Sequence, residues 1–424
     1  MFKQNEVEIV TIGDELLLGQ TVDTNAVTLA RELGAIGISI VRRATVADTA
    51  DAITDAVRQA LARTGTVITT GGLGPTADDL TRPTLAALFG RALVRDESIV
   101  AALEALWASR GRGGALPASN LQQAMVPEGA EIVPNPEGTA PGLRLTDGEG
   151  RSVTMLPGVP RELRAMLQQS LVPWFAARAG GTVLRTRAVR TTSIAESALA
   201  ERLGASKRSV AGLPLAYLPG MEGVDLRVTA RDLPPDEAAA MLDEAERLIR
   251  DAVGVHAYAT DRVTMPMVVL ERCAARGETI AVAESCTGGL LGARLTEVPG
   301  SSRVLLGGSI AYHNDVKVRD LGVSPDDLAA HGAVSEVVAL QMARGVRART
   351  GASIGIAITG IAGPDGGTPD KPVGTVWIGI DVHGDARAHR AVYIGDRQEI
   401  RFRASQAALD LVRRRLLERE PVGD

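Results

Sequence analysis

The chain has 424 residues, of which 45% are hydrophobic and 23% charged, and it carries a formal net charge of −5. That length suggests about two or three domains, and the balance is that of a folded globular protein. The acidic total argues against a chain-wide nucleic-acid footprint, which needs clustered Lys and Arg, and no apolar run approaches the about 18 residues of a membrane span. The start, MFKQNEVEIVTIGDE, lacks an apolar signal core and runs directly into a strand. Cys273 and Cys286 form no CxxC pair, which speaks for a reducing cytoplasm and against a disulfide framework or structural zinc. With aromatics at 3% and 46 glycines, Ala, Val, Leu and Gly must build the core, a composition suited to close helix-on-sheet packing.

In chain order, VEIVTIG reads as a strand and DTNAVTLAREL as a helix with Asp23 at its N-cap. ISIVRRATV is a second strand, TADAITDAVRQAL a second helix and GTVITT a third strand. Such alternation implies a parallel sheet covered on both faces. Two Pro/Gly-rich pieces, PNPEGTAPG and MLPGVPREL, close this segment near residue 170. The middle reads as a small α+β module: strand TVLRTRAVRTT, helix IAESALAERL, strands LPLAYL and VDLRVTARD, and the long helix PPDEAAAMLDEAERLIRDAV. The last segment alternates again, with strands at 279–283, 304–312, 353–359, 374–381 and 388–394, helices at 287–296 and 335–349, and a terminal helix. The fold class expected is α/β: two α/β sandwich domains with mostly parallel sheets, residues 1–170 and 263–424, joined by a small α+β domain at 171–262.

Two loops of the first segment carry chemistry. GDELLLG follows the first strand and TGGLGPTADD the third, so both fall at one edge of a parallel sheet. Gly72 and Gly74 let backbone N–H groups approach a phosphate, and Thr70 and Thr76 add hydroxyl donors. Asp14, Glu15, Asp78 and Asp79 suit a hard divalent cation beside a phosphate, where it would polarise a pyrophosphate and activate a water. Each acid taken singly reads equally as a cap or a solvated turn residue. Gly72 to Ala77 also fits G-x-G-x-x-A, but the pattern is short and follows the third strand, which argues against a nicotinamide redox site. In the middle, Gly220-Met221-Glu222-Gly223 matches the GxxG of a phosphate-clamping loop, yet Glu222 has the wrong charge for that and a β-turn is the simpler reading.

The last segment holds IAVAESCTGGLLGARL, where a buried-looking strand ends in Glu284-Ser285-Cys286-Thr287 and passes through Gly288 and Gly289 into a helix. The carboxyl end of a strand in an open α/β sheet is where ligands bind. Further polar groups are expected at the same edge: Ser301 and Ser302 in a turn before a strand, Tyr312 and Lys317 after it, Thr359 and Gly360 after another strand, and Asp396 and Arg397 opening the final helix. A nucleophilic Ser285 needs a base. None of the five histidines sits in a triad-like setting, whereas Ser-Lys pairs are an established alternative. Lys317 would serve if desolvation kept it neutral, Tyr312 would relay a proton or orient the serine, and backbone N–H groups around Thr287–Gly289 would stabilise an oxyanion. Alternatives stay open: Cys286 as nucleophile at a helix N-terminus, Glu284 as a helix cap or as partner of Lys317, and Tyr312 and Lys317 as ordinary strand and surface residues.

The series AESCTGG, VPGSS, GGSIAYHNDVK, HGAVSE, MARGVRART, TGIAGPDGG and KPVGTVWIGI resembles the C-terminal domain of the CinA (competence/damage-inducible) proteins, in order and across about residues 264–415. GDELLLGQTVDTN, TTGGLGPTADD and LPGVPREL resemble the molybdopterin-binding fold of the same family, and a KH-like connecting domain is implied between them. The resemblance implies that the rear domain deamidates nicotinamide mononucleotide without a cofactor, with Ser285, Tyr312 and Lys317 as its catalytic set and Thr359 at a substrate contact. It implies that the front domain splits ADP-ribose into AMP and ribose 5-phosphate with a divalent metal (Mg, Mn or Co). Asp14, Asp78 and Asp79 are the candidate metal or phosphate ligands. A cytoplasmic homodimer with nucleotide substrates and no membrane or nucleic-acid partner completes the expectation. A binding or scaffold protein of DNA uptake or repair is the alternative, and a molybdopterin-handling protein would use the front domain alone.

Overall fold

The computed structural model describes residues 2–3, 5–109, 116–178, 180–204 and 208–419. The chain divides into two compact units, Met1–Arg185 with Thr229–Ala240, and Thr186–Val228 with Met241–Asp424.

The front unit is built on a six-stranded sheet in the order Ser39–Val46, Glu6–Ile12, Thr66–Thr70, Ser152–Leu156, Gly142–Thr146, Glu131–Val133. The first four strands are parallel, as the strand–helix alternation implies, and the last two join antiparallel. Alternate side chains of one strand enter opposite cores. Val10 and Val67 pack with Ile53, Val57 and Leu85 from the helices Ala50–Thr64 and Thr81–Leu88. Ile9 and Ile68 pack with Leu29, Leu33 and Leu163 from Thr24–Ala35 and Pro160–Met166. Asp23 caps its helix by accepting from the Ala26 N–H, and Thr49 caps the next by accepting from Ala52. The two Pro/Gly-rich pieces do not simply close the segment, because the antiparallel pair Gly142–Thr146 and Ser152–Leu156 lies between them.

The middle segment forms a five-stranded sheet in the order Ser209–Val210, Leu213–Pro219, Val224–Leu233, Val183–Thr191, Ala257–Thr260. Gly220–Gly223 is the turn between two of its strands, closed by the Gly220 N–H donating to the Gly223 carbonyl at 2.8 Å.

The rear sheet runs Leu305–Ile310, Ile280–Glu284, Ile354–Gly360, Thr375–Val382, Asp385–Val392. Its first three strands are parallel and the last two antiparallel. On one face Val282 and Ile356 meet the helices Met265–Ala275, Leu290–Thr296 and Arg397–Glu418. On the other, Ala281 and Ala283 meet Asn314–Leu321 and Glu336–Thr350. Glycine sets how closely this second layer sits. A Cβ at Gly355 would lie 2.1 Å from the Ala343 carbonyl, and one at Gly379 2.3 Å from that of Ala339, both on the helix Glu336–Thr350. Neither contact can relax by rotating a side chain, since each involves backbone. Gly355→Ala is therefore expected to cost about 1–3 kcal/mol or more of stability, read as a lowered midpoint in denaturant unfolding.

Candidate active sites

In the front unit, parallel pairing delivers the loops after Ile12, Thr70 and Leu156 to one edge, where they enclose a cleft of about 640 Å³. Gly13, Glu15, Gly72, Gly74, Asp78 and Asp79 all line it. The TGGLGPTADD loop is held from within. Asp79 accepts hydrogen bonds from the Gly74 N–H at 2.7 Å, the Thr76 N–H at 2.8 Å and the Thr76 hydroxyl at 2.5 Å. Thr81 donates to the Gly71 carbonyl at 2.8 Å, and the buried Arg82 donates to that of Leu73 at 2.9 Å. Gly71 sits at φ +103, and a Cβ there would lie 2.2 Å from the Ile12 carbonyl, which is how closely the two loops approach.

The acids separate into roles. Asp79 and Thr76 are spent on their own loop. Asp14 exchanges hydrogen bonds with Asp48: its N–H donates to the Asp48 carboxylate at 3.1 Å, and its carboxylate accepts from the Asp48 N–H at 3.4 Å. Burial raises the Asp48 carboxyl above its ordinary range, and repulsion from Asp14, Glu15 and Asp78 adds to it. Hydrogen bonding with Thr76 holds the Asp78 carboxyl below its ordinary range. Asp14, Glu15, Asp48 and Asp78 thus share one negative field at the rim, although among the described residues no three acidic, His or Cys side chains converge on a single point. Asp48 and Gln123 were not singled out from the sequence, because they reach the cleft from distant segments. Gln123 and Thr70 are both buried in the cleft wall, and among the described residues neither the Gln123 amide oxygen nor the Thr70 hydroxyl has a hydrogen-bond partner.

In the rear unit the strand Ile280–Glu284 ends opposite Ile310 and Ile358. Ser285 follows, 9% exposed, its N–H donating to the Ile358 carbonyl at 2.9 Å. Glu284 points into the structure and is a helix cap, not a partner of Lys317. Its carboxylate accepts from the N–H groups of Gly289 and Leu291 at 3.0 Å and of Gly292 at 2.8 Å. The helix consequently starts at Leu290, later than the sequence pattern suggests, after Gly288 and Gly289 have turned the chain at φ +58 and +94. The Gly288 and Leu290 N–H groups bond back to Ser285 and Thr287. Among the described residues, the amides of Cys286 and Thr287 are left without a partner, so they are the donors available to an oxyanion.

Lys317 is 1% exposed. Its amine reaches back from the helix Asn314–Leu321 to the carbonyls of Ala311 at 2.8 Å and Tyr312 at 3.1 Å. Burial lowers its pKa from the ordinary 10.5. A neutral amine has two N–H donors, both satisfied here, and one lone pair left to accept a proton. Tyr312 is 60% exposed, and its hydroxyl accepts from Arg397 at 2.8 Å. Arg397 also donates to the Gly363 carbonyl at 2.6 Å. Cys286 is packed in the core, and burial pushes its thiol up to about 12, which disfavours the thiolate that a nucleophile needs. His313 caps the helix by accepting from the Asp315 N–H.

Thr359 lies beside Ser285 at the same edge, buried, with its hydroxyl donating to the Ala333 carbonyl at 2.8 Å. Gly360 follows it and admits Val376, whose methyl would stand 2.7 Å from a Cβ. Ser301 and Ser302 correct the expectation. They precede the strand Leu305–Ile310, whose Leu305 pairs with Ile280 at the start of the neighbouring strand, so they sit at the opposite edge from Ser285. The position missed from the sequence is Arg401, which donates to the Thr287 carbonyl at 2.7 and 3.2 Å and ties the serine loop to the terminal helix.

A mixed α/β protein with an acid-rimmed, glycine-lined cleft and a serine-lysine sheet edge is thereby defined. Residues 263–416 match the CinA C-terminal domain, 8–177 a probable molybdopterin binding domain, and 186–259 the KH domain of damage-inducible protein CinA. The chain is 58% identical over 411 residues to a CinA-like protein of Gemmatimonas aurantiaca, covering 96% of each. It is 45% identical to one of Chlorobaculum tepidum, covering 97% of this chain and 99% of that one. Among solved structures it resembles the competence/damage inducible protein CihA from Agrobacterium tumefaciens (39% identity, 35% of this chain and 92% of that one, TM-score 0.35). It also resembles CinA from Thermoplasma acidophilum (37% identity, 39% and 94%, TM-score 0.36). The chain belongs to the CinA family. Among the described residues no helix is long and apolar enough to cross a membrane.

The capping role of Glu284 is testable. Glu284→Gln would present an amide N–H₂ to a backbone N–H and weaken charge-assisted bonds worth about 1.5–3 kcal/mol each. A stability loss of about 2–3 kcal/mol in chemical denaturation is expected.

Proposed function

We propose that the rear edge hydrolyses the carboxamide of nicotinamide mononucleotide. The observation that supports it is a lysine amine, buried and depressed in pKa, held by two carbonyls at the strand-end edge that carries Ser285. In this reading the Ser285 hydroxyl attacks the carboxamide carbon while the Lys317 lone pair takes its proton. The carbonyl oxygen becomes an oxyanion facing the Cys286 and Thr287 amides. Collapse breaks the C–N bond, and the Lys317 ammonium returns its proton so that ammonia leaves. Water, deprotonated by the same amine, then attacks the Ser285 ester, which releases the carboxylate and restores the hydroxyl. Arg397, anchored by Gly363 and Tyr312, is the cation placed to meet the substrate phosphate. Ser285→Ala is expected to lose ammonia release from nicotinamide mononucleotide by 10³-fold or more, on the order expected for removing a nucleophile, in chelator and with the fold intact. Release that survives the substitution would overturn the serine assignment, and none from wild type would favour a binding module. Because the base must be neutral, kcat/KM should rise with pH through the depressed Lys317 value and level off below 10.5. Lys317→Met should remove that limb along with the activity.

We propose that the front cleft hydrolyses the pyrophosphate of ADP-ribose. A divalent cation there would be held by one or two of Asp14, Asp48 and Asp78 together with substrate oxygens, as suits an ion that needs only one or two carboxylates beside a phosphate. Burial raises the Asp48 carboxyl first, and repulsion from Asp14, Glu15 and Asp78 adds to it, a repulsion that a cation at that rim would relieve. When bound it supplies charge neutralisation at the pyrophosphate. The chain itself contributes the Gly72 and Leu73 amides, unpaired among the described residues, as phosphate donors, and Gln123 and Thr70 as partners for the polar ribose or base. AMP release from ADP-ribose should vanish in chelator and return with Mg, Mn or Co. Asp78→Asn should lower it by at least tenfold without affecting ammonia release by the rear site.

A further inference from the structure

The turn Gly220-Met221-Glu222-Gly223 has the spacing of a phosphate clamp, and its acid argued against that use. The folded chain removes the objection. The Glu222 carboxylate is held by Arg190 and by Arg294, the latter at 3.2 Å, so its charge is spent. Beside the turn lies a cavity of about 320 Å³, walled also by Ser193, His389, Tyr393 and Arg403. Arg403 is the unusual member. Its Nε is sealed from solvent without a hydrogen-bond partner, and among the described residues no carboxylate pairs with its guanidinium. Asp410, which accepts from the Ser193 hydroxyl at 2.8 Å, is neutralised by Arg413 and Arg414. The wall therefore carries net positive charge, and the Met221 and Glu222 amides make no hydrogen bond among the described residues. Arg403 stands two residues past Arg401, about 200° round the same helix, so it does not serve the serine edge.

We propose that this cavity is a further ligand site, one that binds the phosphate group of a small phosphorylated metabolite. Arg403 provides the charge, and the turn amides provide directed hydrogen bonds. The volume lies at the small end of ligand pockets, which begin near about 300 Å³. That suits a phosphate with a pentose-sized body. A nucleic-acid strand would need a basic groove that continues along it and aromatic faces for stacking.

The test uses the full-length chain and inorganic phosphate, followed by amide hydrogen exchange. Phosphate is expected to protect the 220–223 turn in the wild type and in Arg403→Lys. Arg403→Gln should lose that protection, with at least tenfold weaker binding at this site, and should keep wild-type ammonia release. Should Arg403→Gln fail to fold, Ala407→Glu, which adds a carboxylate to the same wall, is expected to lose the protection equally. No protection of the turn in the wild type, or equal protection in both disabling variants, would overturn the proposal. So would protection by a single-stranded oligonucleotide where phosphate gives none.

Discussion

Parallel strand pairing is the constraint on which the chemistry of this protein depends. In each α/β sheet, neighbouring parallel strands run in the same sense, so every loop that follows one of them emerges at the same edge. In the front sheet this brings together the segments after Ile12, Thr70 and Leu156, which are far apart in sequence. In the rear sheet it sets Ser285, Ala311 and Thr359 side by side, because Glu284 pairs with both Ile310 and Ile358. The antiparallel pair that follows returns to this edge after Val392, and so the terminal helix opens there with Arg397. Backbone hydrogen bonding between the strands assembles these groups.

The edge must then be made rigid, and both sheets use a carboxylate for this, buried in Glu284 and half-buried in Asp79. Glu284 takes three amides of the serine loop, and Asp79 takes two amides and a hydroxyl of the glycine loop. An acceptor-only group can satisfy several N–H donors at once, and its charge strengthens each bond. The price is that those amides are no longer available to substrate. In the rear loop this leaves the Cys286 and Thr287 amides as the unpaired ones among the described residues. In the front loop it removes Asp79 from the acids that face solvent, leaving Asp14, Glu15, Asp48 and Asp78 as the charged rim.

Much of this was legible in the sequence, and the parts that were not have physical reasons. Strand–helix alternation showed the sheet core, and a buried run ending in Glu-Ser-Cys-Thr-Gly-Gly marked the sheet edge that carries Ser285, because local composition encodes where a strand stops. Asp23 announced its cap in the same way. The burial of Lys317 was not legible. NDVKVRDL looks like a solvated helix, and only the return of the amine to Ala311 and Tyr312 makes this lysine different from a surface one. Ser301 and Ser302 were misplaced because polar residues near a strand were read as near its carboxyl end, whereas they precede the strand and a parallel neighbour fixes them at the other edge. Asp48, Gln123 and Arg401 carry no local signal, since each acts on a segment distant in sequence.

The two edges also differ in what restrains them from outside. The helix Leu290–Thr296, which begins where the serine loop ends, carries the buried Arg294. That guanidinium donates to Ser405 at 2.8 Å and Gln406 at 2.7 Å on the terminal helix, lies 4.3 Å over the Phe402 ring, and reaches Glu222 in the connecting turn. A buried arginine with fewer partners would be a liability, and with all of them it locks three segments in one arrangement. Arg401, one turn earlier on the same terminal helix, holds the Thr287 carbonyl. Any displacement of the terminal helix is thus felt at both ends of the stretch from Thr287 to Arg294. The front loop is held mainly from within, by Asp79, Thr81 and Arg82, with the Gly71 N–H on the Leu156 carbonyl as a tie to the neighbouring strand. The serine loop is held mainly from outside: Arg401 and Arg294 bind it to the terminal helix and, through Glu222, to the connecting turn.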